Sequence, residues 1–97
     1  MLKTIRKNLP SGSGVYYFYS DSTLLYIGKA VNLKSRINSH FYHLEQTALH
    51  AKMMSQVKQI KYQLCAGELG ALLLEAAEIK KLQPLYNKRL RKYRDLY

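Results

Sequence analysis

Hydrophobic positions fall along this chain in blocks whose period changes. Val15 to Tyr19 is an unbroken run of β-branched and aromatic residues, the composition of a strand. Leu24 to Ile27 repeats it after Ser20, Asp21, Ser22 and Thr23, which are turn formers, so residues 14–28 predict an antiparallel hairpin. A breaker cluster, Pro10-Ser11-Gly12-Ser13-Gly14, comes before the hairpin. After Asn32, an N-cap by type, Leu33, Ile37 and Phe41 recur every four residues and predict a helix. Arg36 and His40 are one turn apart on its other face. Residues 43–58 predict a weakly amphipathic helix with the apolar row Leu49, Met53 and Val57. From Ile60 to Cys65 the period returns to two, a third strand. Gly67 interrupts it, and Glu68 to Leu82 predicts the most regular helix, with Leu69, Leu72, Leu73, Ala76, Ile79 and Leu82 forming its core face. Pro84 stops that helix. The predicted fold is α+β, within the broader α/β class. It is a small three-stranded antiparallel sheet flanked by helices, in the order β-β-α-α-β-α.

Length and composition narrow the picture. Ninety-seven residues, 47% of them hydrophobic, make one domain, 1–97, with one modest core. No window approaches the ~20 apolar residues of a membrane span. The N-terminal MLKTIRKNLP lacks the apolar segment of a secretory signal. The single cysteine, Cys65, can form no internal disulfide; it reads as a small core residue in a reducing, cytoplasmic compartment.

Charge changes the picture most. Sixteen Lys and Arg against six Asp and Glu give +10, which favours a polyanionic partner through counterion release. Nucleic acid leads. A membrane surface follows, without the basic amphipathic helix it would use; a merely solubilising basic surface is the plain alternative. Lys29, Lys34 and Arg36 follow the hairpin closely. Lys88, Arg89, Arg91, Lys92 and Arg94 crowd residues 88–97, interleaved with Tyr93 and Tyr97. Such a tail either tracks a phosphate backbone and stacks on bases or leads into a further region.

Candidate chemistry rests on few residues. Glu75 falls roughly 60° from Leu72 and 40° from Ile79 around its helix, at the edge of the apolar arc. A carboxylate there either reaches water at the rim or serves as an oxygen ligand for a hard cation such as Mg²⁺. Tyr16 and Tyr26 stand beside Gly14 and Gly28. Their phenols, with ordinary pKa near 10, either pack the sheet or are activated by a neighbour such as Lys29. Arg36 is a phosphate clamp by type, and His40 beside it can donate to a phosphate or leaving group. One Cys and three scattered His exclude a structural zinc site. The chain has no phosphate-binding Walker loop, no dinucleotide fingerprint and no nucleophile elbow.

Gly14-Val15-Tyr16 followed by Tyr26-Ile27-Gly28 resembles the two-part signature of the GIY-YIG endonuclease family. The segments YIGKAVNLKSRINSHF and AGELGALLLEAAEIKKLQPLYNKRLRK are similar to its UvrC branch, and the resemblance covers about residues 9 to 94. It implies metal-dependent hydrolysis of one DNA phosphodiester with Mg²⁺, or Mn²⁺ as alternative. In the repair branch it further implies incision 3′ to a lesion in duplex DNA already marked by UvrA and UvrB. Residue by residue, it implies Tyr16 as the group that activates water, Tyr26 in support, and Lys29 near the phenols. It implies Arg36 on phosphate, Glu75 on the metal, and Asn87 as the motif asparagine near the domain's end. Lys29, Lys34, Arg36, Asn87, Lys88, Arg89, Arg91 and Lys92 are the expected DNA contacts. His40 stands where many UvrC domains have tyrosine; other branches use histidine there. The alternatives are a GIY-YIG nuclease of mobile-element, restriction or branched-DNA role, and a non-catalytic nucleic-acid-binding module.

Overall fold

The computed structural model describes residues 2–42 and 47–87. The chain runs α1 (Leu2–Lys7), β1 (Gly14–Tyr19), β2 (Leu24–Ala30), α2 (Leu33–Tyr42), α3 (Ala48–Gln56), β3 (Gln59–Leu64) and α4 (Gly67–Leu82). The expected β-β-α-α-β-α order is present, preceded by α1, which the sequence reading did not include. Arg6 fastens α1 to α2: its guanidinium lies 4.2 Å from the Phe41 ring centre, and its Nε donates to Asn38 at 3.1 Å.

The three strands are antiparallel in the order β2-β1-β3, so β1 is central and β2 is an edge. The hairpin closes as its residue types dictate: the Ser20 amide donates to the Thr23 carbonyl at 2.9 Å, and the Thr23 amide to the Ser20 hydroxyl at 3.2 Å. Asn32 caps α2, its side-chain oxygen accepting from the Ser35 amide at 3.0 Å. In register, Tyr16 stands opposite both Gly28 and Tyr62, and Phe18 opposite Tyr26 and Ile60. Alternation then sorts the side chains onto two faces. Tyr16, Phe18 and Tyr26 pack with Leu33, Ile37, Met53 and Val57 beneath α2 and α3. Val15 and Ile27 pack with Ala71 beneath α4, joined by Tyr17, Leu74, Ile79 and Cys65.

Two glycines make this sheet possible. A Cβ at Gly14 would strike the Gln63 carbonyl of β3, and one at Gly28 would strike the ring and hydroxyl of Tyr16. The motif glycines are therefore close-approach positions.

Three expectations are corrected. The leucine arc of α4 does not face the core: Leu69, Leu72, Leu73 and Leu82 are exposed, and α4 meets the sheet through buried Ala71 and half-buried Leu74 and Ile79. The contact face is turned roughly 100° from the predicted arc, one residue's step. A three-stranded sheet offers a narrow face, and the small Ala71 lets the helix approach it. His40 does not share a solvent face with Arg36; seven residues after Leu33, it falls on the buried row of α2. The period-two row of β3 is buried only at Ile60, since Tyr62 and Leu64 are exposed.

Candidate active site

A groove of about 620 Å³ opens where the end of β2 meets α2 and the start of α4. Lys29 and Val31 come from β2 and the turn after it, Arg36 from α2, and Glu68, Leu69 and Leu72 from α4. Lys29 and Arg36 are exposed, and among the described residues no carboxylate pairs with either. Glu75 follows Glu68 by seven residues and lies within about 20° of it around the helix, so the row that lines the groove continues to it. The residue is half-buried, and its carboxylate makes no hydrogen bond or ion pair among the described residues. Two cations and a carboxylate on adjoining elements, with no ion pair among the described residues, suit a phosphate and a hard cation.

Across the sheet lies a second cluster. The Tyr16 side chain is sealed, at 0% exposure, and its hydroxyl is 2.7 Å from His40 Nε2. His40 Nδ1 is 2.8 Å from His50 Nε2, an α3 residue whose ring lies nearly parallel to it at 5.0 Å. His40 also packs edge-on against Tyr16, Phe18 and Tyr26. With one proton on its ring, His40 donates through one nitrogen and accepts through the other, so His50 decides what Tyr16 meets. If His50 accepts, His40 Nε2 is bare and takes the Tyr16 proton as an acceptor.

The other expected residues divide. Tyr17 faces α4, and its hydroxyl donates to Glu78 at 3.1 Å. Burial first, then that bond, push the Tyr17 pKa up to about 12, so it stays a neutral phenol. Lys34 lines a separate polar hollow with Asn32, Ser35 and Asn38. Asn87 was expected at DNA, but its carboxamide is turned inward. Its oxygen accepts from the Ile27 amide and its nitrogen donates to the Ile27 carbonyl, both at 2.8 Å. It acts as one rung of an extra strand on the β2 edge. Lys88, Arg89, Arg91 and Lys92 lie outside the described residues, as does the tail 88–97.

The structure thus brings Lys29 and Arg36 into one groove with Glu68, and leaves Glu75 outside its lining, two turns along the same row of α4. It gathers Tyr16, Tyr26 and His40 on the opposite face of the sheet. α2 joins the two, carrying Arg36 and His40 one turn apart. Tyr16, expected to activate the water, has its hydroxyl enclosed and bonded to His40. Tyr26 keeps 4% exposure. Two participants were missed. His50 sits on another helix, and no spacing signals its pairing with His40. Glu68 was legible in principle, since it repeats the position of Glu75 two turns earlier.

A hairpin carrying Gly-Val-Tyr on its first strand and Tyr-Ile-Gly on its second, in a three-stranded antiparallel sheet with helices on both faces, is the architecture of a GIY-YIG endonuclease domain. The chain belongs to the UvrC-like GIY-YIG domain family, whose model matches residues 12–88. It is 48% identical to the excinuclease cho of Escherichia coli K12, over 98% of this chain and 32% of that protein. It is 44% identical to the UvrABC system protein C of Flavobacterium johnsoniae, over 86% of this chain and 14% of that one. The crystal structure of the GIY-YIG N-terminal endonuclease domain of UvrC from Thermotoga maritima, bound to its catalytic divalent cation magnesium, superposes with a TM-score of 0.79. The match is at 30% identity and covers 89% of this chain and 94% of that one. The chain spans about a third of the length of the cho relative.

Proposed function

We propose that this chain is the nuclease domain that makes one metal-dependent cut in a DNA strand, as the 3′ incision of bacterial nucleotide excision repair. The observation that carries the reading is a groove that gathers exposed Lys29 and Arg36 with the Glu68 carboxylate, while Glu75 stands on the same row of α4 two turns further on. Its similarity to a magnesium-bound endonuclease domain supports the metal. Its similarity to excinuclease cho and to a UvrABC system protein supports damaged DNA as substrate. It also supports UvrA- and UvrB-type loading factors and a cytoplasmic location.

Glu75 is the residue that would hold Mg²⁺, or Mn²⁺ as alternative; a single carboxylate suits an ion that keeps most of its waters. Bound there, the ion supplies Lewis acidity at the scissile phosphate. Arg36 and Lys29 bind the phosphate oxygens and balance the charge that grows as water attacks phosphorus and the P–O bond breaks. Tyr26, packed against His40 one turn of α2 from Arg36, supports the site from the other face of the sheet. Tyr16 acts through His40, holding the ring against Tyr26.

The test is strand incision on an end-labelled duplex with one bulky adduct, preincubated with UvrA and UvrB, in Mg²⁺ or EDTA. One Mg²⁺-dependent cut 3′ to the adduct is expected, lost in Glu75→Ala while DNA affinity is retained. Equal loss of binding would assign Glu75 to folding. Mg²⁺-dependent nicking of undamaged DNA, without the adduct-directed cut, would move the chain to another nuclease role.

A further inference from the structure

The groove that holds Lys29 and Arg36 is not lined as a phosphate track alone. Its other wall is apolar and open: Val31 is 62% exposed, Leu69 68% and Leu72 46%. At the head of α4 a carboxylate, Glu68, shares the same lining. A continuous phosphate backbone would find nothing to bind on that wall and would be repelled by Glu68. A single nucleotide finds all three linings suitable: cations for its phosphate, aliphatic side chains for the face of its base, and a carboxylate acceptor for an exocyclic amine on its edge. In a stacked duplex the base faces are hidden, so only an unstacked base can reach the leucines.

We propose that this groove takes an unstacked nucleobase next to the bound phosphate, so that the domain prefers DNA whose stack is already broken. The inference rests on the nuclease reading and deepens it: the site itself, apart from any loading factor, senses distortion. Opening a base costs least where the helix is damaged or unpaired, which turns the apolar wall into a filter. Val31, Leu69 and Leu72 set that preference as specificity residues, with no part in bond breaking.

The experiment measures affinity by fluorescence anisotropy in EDTA, so that nothing is cut. Three labelled duplexes are compared: fully paired, with one unpaired nucleotide, and with the same unpaired position abasic. The unpaired nucleotide should tighten binding about tenfold over the paired duplex, and the abasic version should lose that gain, since its base is the group recognised. Leu69→Ser/Leu72→Ser should abolish the gain, so that the ratio of unpaired- to paired-duplex affinity falls to about one whatever change the two duplexes share. Circular dichroism confirms the fold of the double variant, and the abasic comparison needs no mutation. Equal affinity for all three duplexes overturns the proposal and leaves the apolar wall to a protein partner. So does an abasic site that binds as well as a base, or a preference that survives the double variant. Mg²⁺-dependent nicking of the same duplexes separates the two readings. Cutting without preference sinks only this inference, and preference without cutting sinks only the nuclease.

Discussion

At the scale of single residues, the position of Tyr16 is set by an atom that Gly28 lacks. The phenol lies over the edge strand because no Cβ stands beneath it, and this aims its hydroxyl at His40. Gly28→Ala should therefore act as overpacking, destabilising by about 1–3 kcal/mol in urea melts and lowering nicking by displacing the phenol. Unchanged stability would mean that the ring has room to move. Tyr16→Phe keeps the ring and removes the hydroxyl. If Tyr16 works through His40, and His50 fixes the proton on His40, the two act as one unit. Tyr16→Phe and His50→Ala should each slow nicking by up to about 10²-fold with little change in KM, and the double variant should be no slower than the worse single. Multiplying effects would show that His50 contributes only to packing. The sequence drew attention to Tyr16, His40 and Glu75 because each sits in a local motif. It gave no sign of His50 because the bond from His40 crosses between helices, nor of the burial of Tyr16, which depends on the whole sheet.

At the scale of elements, α4 shows where a periodic pattern misleads. A run of leucines predicts a helix correctly, since any arrangement of them favours one, but it does not say which side faces the sheet. The buried contact is Ala71, with Leu74 and Ile79 beside it, while Glu78 reaches Tyr17 across the same interface. Small residues permit close approach, and that signal is quieter than leucine's. Leu73→Ser should then change stability by less than about 0.5 kcal/mol, whereas Ala71→Leu should cost about 1–3 kcal/mol by forcing α4 off the sheet. Thermal melts of the two variants would decide it; the reverse order would restore the leucine arc as the core face. The strands were easier to read, because turn chemistry and aromatic composition fixed the hairpin in place. Asn87 was easy to find and hard to interpret: its chemistry is polar, yet both polar atoms are turned to the Ile27 backbone. It ties the segment after α4 to the edge strand that carries Tyr26 and Lys29.

At the scale of the molecule, the excess of ten positive charges favours any polyanion, and on the proposed reading the groove gives position on DNA. The two contributions respond differently to salt. Each phosphate neutralised adds about −0.9 to the slope of log affinity against log salt, so the slope counts phosphate contacts. Arg36→Ala should reduce that slope by about one and weaken binding alike for every sequence. It should also slow cutting beyond what the lost affinity explains, because Arg36 faces charge that grows only in the transition state. The measurement is a salt titration of binding to a paired duplex, set beside single-turnover nicking at saturating protein. A shallower slope with an unchanged single-turnover rate would reduce Arg36 to one backbone contact among many. An unchanged slope with a slowed rate would mean that Arg36 touches no phosphate until the bond begins to break. The groove predicts both effects together, since Arg36 is exposed, shares the lining with Lys29, and forms no ion pair among the described residues.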